Sequence, residues 1–223
     1  MEFLLIDGLK LYQSIILYLG CIVAFIGIIS LIKSIFSSTP PIWQSILILI
    51  ISVIFIGWTS IKSISFSKDM ISIEKWEQEL LLDPDNTDAR DNLEAAISNI
   101  DADLIHSAKN LTKLAELSTL LGNYEEGVRY SEKAIARKED YSSAREVKDL
   151  AETGIEIKQL RSDSSDQNSV INLRIQMNEL ETRQSNNPLH SLIMERGFTV
   201  TGDQEKARNY RDSTISRSKS IRH

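Results

Sequence analysis

Cysteine is nearly absent from this chain, since Cys21 is the only one among 223 residues. A disulfide bond within one chain needs two cysteines, so none can form here. The chain has only three histidines, His106, His190 and His223, and none lies near another histidine or a cysteine at metal-ligand spacing. We therefore predict that the chain has no metal site.

Catalytic patterns are missing as well. The sequence has no glycine-rich loop of the kind that binds phosphate groups. Cys21 lies inside a long apolar run, where it is poorly placed to attack a soluble substrate. No other set of residues has the spacing of a catalytic site. The sequence thus predicts a protein that is not an enzyme and binds no cofactor.

Charged residues are absent from two long stretches near the start of the chain. The first follows Lys10 and has 22 residues, and the second follows Lys33 and has 28. About 20 apolar residues span the hydrocarbon core of a bilayer as a helix. We predict a membrane anchor in residues 1–65, with transmembrane helices at about 11–32 and 42–61. Its lipid partner is the bilayer itself.

Two alternatives for these stretches are a cleaved signal peptide and buried helices of a soluble domain. The first run is longer than the apolar region of a signal peptide, and a second run follows at once. The rest of the chain is too small to enclose two such helices. Both alternatives are therefore disfavoured.

Basic residues near the two stretches predict an orientation. Four of them lie on the outer flanks, at Lys10, Lys62, Lys68 and Lys75, and only Lys33 lies near the connecting loop. Because cytoplasmic segments carry more lysine and arginine, both termini are expected in the cytoplasm. We predict an integral protein of a plasma or inner membrane.

The polar part of the chain is acidic. The net charge is −6, residues 1–65 contribute +1 and residues 203–223 contribute +3, so residues 66–202 carry −10. A domain of that sign is not expected to bind nucleic acid. The basic end is interpreted as a solvated helix end, with contact to anionic lipid as the alternative.

Alternating strand patterns are absent after residue 65, apart from the short segment GFTVTGD at 197–203, for which a bent helix end is an equal alternative. Apolar residues instead recur three or four positions apart, which indicates helices. We predict an all-α fold in which Val170, Leu173, Met177 and Leu180 face the core rather than a coiled-coil seam. After the turn at Asp83-Pro84, the predicted helices cover 87–100, 101–121, 124–137, 142–160 and 170–184.

This pattern divides the chain after the anchor into four parts. A helical domain is expected at 66–160, a polar linker at 161–169 and further helices at 170–215. A flexible basic tail is expected at 216–223.

Residues 108–141 resemble one 34-residue tetratricopeptide (TPR) unit, a helical hairpin. The resemblance rests on a leucine and small-residue pattern, a Gly-Asn-Tyr turn and small residues in the second helix. Its members are Leu111, Leu114, Ala115, Gly122, Asn123, Tyr124, Gly127, Lys133 and Ala134. Ser118, Ser131 and Glu139 depart from the family pattern, which usually has two aromatic residues and a proline there.

A weaker copy of the hairpin starts where Gly202 aligns with Gly122, and WEQELLLDPDN resembles the end of another second helix. A regular array would repeat every 34 residues, whereas these anchors are spaced irregularly. The resemblance implies a degenerate TPR-like domain. A general helical bundle with one chance match is the alternative.

The resemblance implies a function in protein–protein interaction. We expect a membrane-anchored scaffold whose cytoplasmic domain binds a peptide or helix of a protein partner. In the family the first helix of a hairpin lines the binding face, which here implies candidate contacts at Asn110, Thr112, Lys113, Glu116 and Thr119. Leu114, Ala115, Gly122, Tyr124, Gly127 and Ala134 are expected to pack the repeat. The alternative is a subunit of a membrane complex in which the hairpin makes the main contacts.

Overall fold

A computed structural model describes residues 5–37, 42–162, 167–183 and 185–220. Within these ranges the chain forms helices and no strand, so the prediction of an all-α fold is confirmed. The helices are α1 (Leu11–Ser37), α2 (Ile42–Leu82), α3 (Thr87–Ser98), α4 (Ala108–Leu121), α5 (Tyr124–Arg137), α6 (Ser142–Ser162), α7 (Gln167–Thr182), α8 (Pro188–Thr201) and α9 (Gln204–Ser220), with a 3₁₀ turn at Ala102–Leu104.

The chain divides into two compact units. The first, which we call the hairpin unit, comprises Met1–Ile71 and Ile100–His106. The second, the helical unit, comprises Ser72–Asn99 and Ser107–His223. Helix α2 contributes residues to both units.

The hairpin unit has two helices that are long and apolar enough to cross a membrane. Polar and small side chains face inward between them. Ser30 and Ser45 share a hydrogen bond of 2.8 Å between their hydroxyls, and Gly20 and Gly27 of α1 lie against Ile56 and Leu49 of α2. Small residues let two apolar helices approach closely, which explains why this pair packs.

A short segment before α1 is tied to residues far along the chain. The N–H of Gly8 donates to the carbonyl of Leu104 at 3.0 Å. The backbone N–H of His106 donates to a carboxylate oxygen of Asp7 at 2.6 Å, and the His106 ring contacts the carbonyl of Leu9 at 3.1 Å. Gly8 has a φ of 81° and lies under Phe66, a place where a larger residue would not fit.

The helical unit has a single apolar core between α3, α4, α6, α7 and α8. Fully buried core residues include Leu93, Leu111, Leu114, Leu117, Leu150, Leu173, Met177 and Ile193. Leu173, Met177 and Leu180 are buried, so the prediction that this side of α7 faces the core is confirmed for these three, whereas Val170 is half-buried. Helix α7 contributes one apolar face, as amphipathic spacing requires, whereas α8 is buried on most of its sides.

Two helical hairpins in this unit end their first helix in the same way. Gly122 after α4 and Gly202 after α8 have φ angles of 88° and 86°. The residue after each glycine donates its N–H to the carbonyl five residues earlier, at 2.8 and 2.9 Å. This left-handed cap favours glycine and turns the chain into α5 and α9. The strand-like segment at 197–203 is therefore the end of a helix.

Several boundaries differ from the predicted ones. Helix α2 continues through residues 62–72, because no glycine or proline stops it between Gly57 and Pro84. The predicted helix at 101–121 is wrong in its first part. The Asp101 side chain caps the 3₁₀ turn, and the Ser107 side chain caps α4. The segment therefore contains two separate helical elements instead of one continuous helix.

The predicted linker and tail also need correction. Helix α6 ends at Ser162 and α7 begins at Gln167, and residues 163–166 lie outside the described ranges, as do Gln184 and residues 221–223. Residues 216–220 belong to α9 and are not a flexible tail. Thr214 and Ser218 are buried, and Arg217 donates to the Ser191 hydroxyl at 2.9 Å. Polar contacts of this kind help to fix α9, which has few apolar side chains, against α8.

Candidate functional site

A concave site lies in the helical unit, where the end of α2, the middle of α4 and the start of α8 meet. Its cavity measures about 470 Å³, and we call it the acidic groove. The residues that line it are Glu74, Glu77, Gln78, Leu81, Lys113, Glu116, Leu120, Asn186, Asn187, Pro188 and Leu189. The site therefore combines an apolar floor with a charged rim.

The start of α8 is held in place by caps. The Asn187 side chain accepts a hydrogen bond from the N–H of Leu189 at 2.9 Å, and Pro188 occupies the first turn. Proline is well suited to this position because its missing N–H would have no helical partner there. The Asn187 amide donates to Glu116 at 3.4 Å, so the cap also fixes one rim carboxylate.

Lys113 bridges two carboxylates of the rim. Its ammonium lies 2.5 Å from Glu77 and 3.7 Å from Glu116. These three side chains are only 14–25% exposed. Burial works against the Lys113 charge, yet the attraction of Glu77 and Glu116 outweighs it and raises the pKa of Lys113. The lysine is therefore charged at neutral pH.

Glu116 lies in the least favourable surroundings for a carboxylate. Burial raises the pKa of its carboxyl above the ordinary value, and although Lys113 opposes this rise, Glu77 adds to it. Burial therefore disfavours the charged form of Glu116. An additional positive charge nearby would favour that form.

The predicted partner contacts on α4 separate into two groups. Lys113 and Glu116 line the acidic groove. Thr112 and Thr119 are buried, and their hydroxyls donate to the carbonyls of their own helix four residues earlier at 2.9 and 2.8 Å, so they pack rather than offer contacts. Asn110 is half-buried in the first turn, where its N–H faces the Ser107 cap.

The predicted packing residues lie inside the helical unit. Leu114, Ala115, Tyr124 and Ala134 are buried, Gly127 is buried against Thr119, and Gly122 forms the left-handed cap. Sequence reasoning missed Glu77 and Asn187, which complete the groove. No sequence signal pairs them with α4, since they lie 36 positions before Lys113 and 71 after Glu116.

Histidines have structural roles in the part of the chain described. His190 is buried, and its ring contacts the carbonyl of Leu180 at 3.1 Å. Burial lowers the pKa of His190 below its ordinary value of 6.5, so the ring is neutral at pH 7. Among the described residues no group of three or more histidine, cysteine or acidic side chains is arranged to hold a metal ion.

No protein-family model, curated protein or solved structure matches this chain. The geometry of the acidic groove and of the hairpin unit must therefore support any functional conclusion on its own.

Proposed function

We propose that this chain is a membrane-anchored protein–protein interaction module. The hairpin unit anchors it in a bilayer with both termini in the cytoplasm, and the helical unit binds a segment of a partner protein. The observation that carries the proposal is the distribution of apolar side chains. Among the described residues, the exposed large apolar side chains all lie in α1 and α2, except Ile171 and Ile175.

In the hairpin unit, polar side chains are buried and large apolar side chains are exposed, which is the reverse of their distribution in a soluble protein. Ser45 and Ser52 are buried between its helices, whereas Phe25, Trp58 and many isoleucines are exposed. Helix α1 has 27 residues, which at 1.5 Å per residue gives about 40 Å, more than the roughly 30 Å of a hydrocarbon core. No charged residue lies between Lys10 and Lys33, so the surface of α1 suits lipid.

The helical unit supports the interaction role through two features. It contains two helical hairpins with the same glycine cap, and we propose that they are degenerate copies of a TPR-like hairpin. It also keeps an open groove on α4, the helix that lines the binding face in that family. The basic end supports lipid contact less well, because Lys206, Arg211 and Arg217 bind Glu181, Glu195 and Ser191 within the unit.

One observation, the open space next to Gly57 of α2, favours the alternative function as a subunit of a membrane complex. A side chain added at Gly57 would meet nothing within 4 Å, so the outer surface of α2 offers a place where another helix can approach closely.

Photo-crosslinking of the full chain in its native membrane distinguishes the two functions. One variant carries a photoreactive residue at Gln78 in the groove, and the other carries it at Trp58 on the exposed surface of α2. The interaction module predicts a discrete protein adduct from Gln78 and mainly lipid adducts from Trp58. A protein adduct from Trp58 alone would support the membrane-complex function. Release of the chain from membranes by alkaline carbonate would contradict the anchor.

A further inference from the structure

We propose that the acidic groove is a docking site for a partner segment that carries a lysine or arginine next to an aliphatic side chain. This inference rests on the proposed function, because it specifies the chemistry of the partner that the helical unit binds.

The first argument is the charge of the rim. Three carboxylates, those of Glu74, Glu77 and Glu116, face one ammonium, that of Lys113. The rim therefore has an excess of two negative charges. Complementary charge steers association and selects among partners, so the groove favours a cationic segment over an acidic one.

The second argument is the incomplete neutralisation of Glu116. Lys113 lies 2.5 Å from Glu77 but 3.7 Å from Glu116, so its ammonium is shared unequally. Glu116 also accepts a hydrogen bond from Asn187, but an amide has no net charge. A partly buried carboxylate gains more from a cation than an exposed one does, because water screens it less.

The third argument is the floor of the groove. Leu81, Leu120 and Leu189 line the groove together with the carboxylates, and each is exposed by 7% or less, so they offer a small apolar surface. Lysine and arginine place their methylene stems on such surfaces while the charged group reaches a polar rim. A neighbouring aliphatic side chain would bury further apolar area. This combination selects a basic and apolar pair rather than a purely basic segment.

Part of the groove is held in position before any partner arrives. The Asn187 side chain caps the start of α8, and its amide also donates to Glu116 of α4. A site that is ordered in advance loses less conformational entropy on binding. A metal ion is not the expected occupant, because no suitable group of ligands exists among the described residues.

The test uses the full-length protein in an uncharged detergent. The probe is a labelled eight-residue peptide with one Lys-Leu pair between glycine and serine residues, and binding is followed by fluorescence anisotropy. Its matched control peptide has glutamate in place of lysine. We expect the lysine peptide to bind, the glutamate peptide not to bind, and added salt to weaken binding.

Two variants with opposite expected effects on peptide affinity distinguish a change in docking from a loss of folding. E77Q/E116Q should weaken binding of the lysine peptide about tenfold, which corresponds to about 1.4 kcal/mol. K113Q should tighten binding, because it exposes both carboxylates, and damage to the fold cannot produce that result. D91N/E94Q removes two negative charges from the exposed surface of α3 and should leave binding unchanged.

Three results would overturn the inference: equal binding by all variants, weaker binding by K113Q, or binding of the glutamate peptide. Dimerisation that E77Q/E116Q abolishes would also overturn it, since the occupant would then be a second copy. The membrane anchor is tested separately, because carbonate extraction does not depend on the groove. If the protein bound the lysine peptide but was released from membranes by carbonate, the docking inference would hold and the membrane anchor would be rejected.

Discussion

At the scale of single residues, small side chains set the spacing of α4, α5 and α6. A β-carbon at Gly127 would overlap the hydroxyl of Thr119 and lie against Ala151. A β-carbon at Gly154 would overlap the ring of Tyr124. These glycines have ordinary helical backbones and are needed because neighbouring helices approach closely. The buried hydroxyl of Thr119 therefore fits only because residue 127 has no side chain.

This coupling predicts the outcome of a double substitution. Gly127→Ala gains up to about 1 kcal/mol of helix propensity, but overlap in a packed core costs about 1–3 kcal/mol. We expect G127A alone to lower stability. In the T119A background the hydroxyl is gone, so the same change should destabilise less, while the contact with the Ala151 β-carbon at 3.2 Å remains. Thermal unfolding of the four proteins, followed by circular dichroism, measures this difference. Equal effects of G127A in both backgrounds would contradict the coupling.

At the scale of elements, the end of α4 depends on arginines from other helices. Arg90 of α3 donates to the carbonyl of Leu121 at 3.0 Å. Arg196 of α8 donates to the carbonyl of Leu120 at 3.1 Å and to the hydroxyl of Tyr124 at 2.9 Å. The last carbonyls of a helix have no partner within it and carry partial negative charge, so cations are favourable there.

Arg196 should therefore contribute more to stability than an exposed arginine. R196A leaves a helix carbonyl and a phenol without their charged donor, and hydrogen bonds to charged groups are worth about 1.5–3 kcal/mol. R208A, which removes an exposed arginine of α9, serves as the matched control and should change stability by less than about 0.5 kcal/mol. Denaturant unfolding compares the two variants. Similar losses for both would mean that these bonds contribute little.

At the scale of the whole molecule, large apolar side chains are distributed differently in the two units. Among the described residues, the helical unit buries them apart from Ile171 and Ile175, whereas the hairpin unit exposes many of them along both helices. The first arrangement is favoured by water and the second by lipid. The basic flanks then decide the orientation that we propose.

Labelling of single cysteines tests that orientation. In a Cys21→Ser background, a membrane-impermeant maleimide should label T39C, which lies in the sequence between the two predicted transmembrane helices, from outside intact cells. It should label D91C, on the exposed surface of α3, only after the membrane is opened. The positive-inside rule gives this expectation, since four basic residues flank the hairpin and one lies near the loop. The reverse labelling pattern would place both termini outside.

Sequence alone determined the features that depend on local spacing. The two charge-free runs, the helical period and the breaks at Pro84, Gly122 and Gly202 predicted the long apolar helices, the all-α fold and the turns. These follow from neighbouring residues, since backbone preferences and hydrophobic period act over a few positions. The predicted partner contacts at Lys113 and Glu116 came from a family resemblance, and the structure places both in the groove.

Only the tertiary structure decided which side chains meet across long sequence separations. It buried Thr112 and Thr119, brought Glu77 to Lys113 and Asn187 to Glu116, and placed Arg196 at the end of α4. It also kept the basic end helical through contacts with α8. Such pairings depend on how several helices pack at once, because residues far apart in the sequence meet only when their helices lie side by side. The acidic groove is the space between three such helices, α2, α4 and α8.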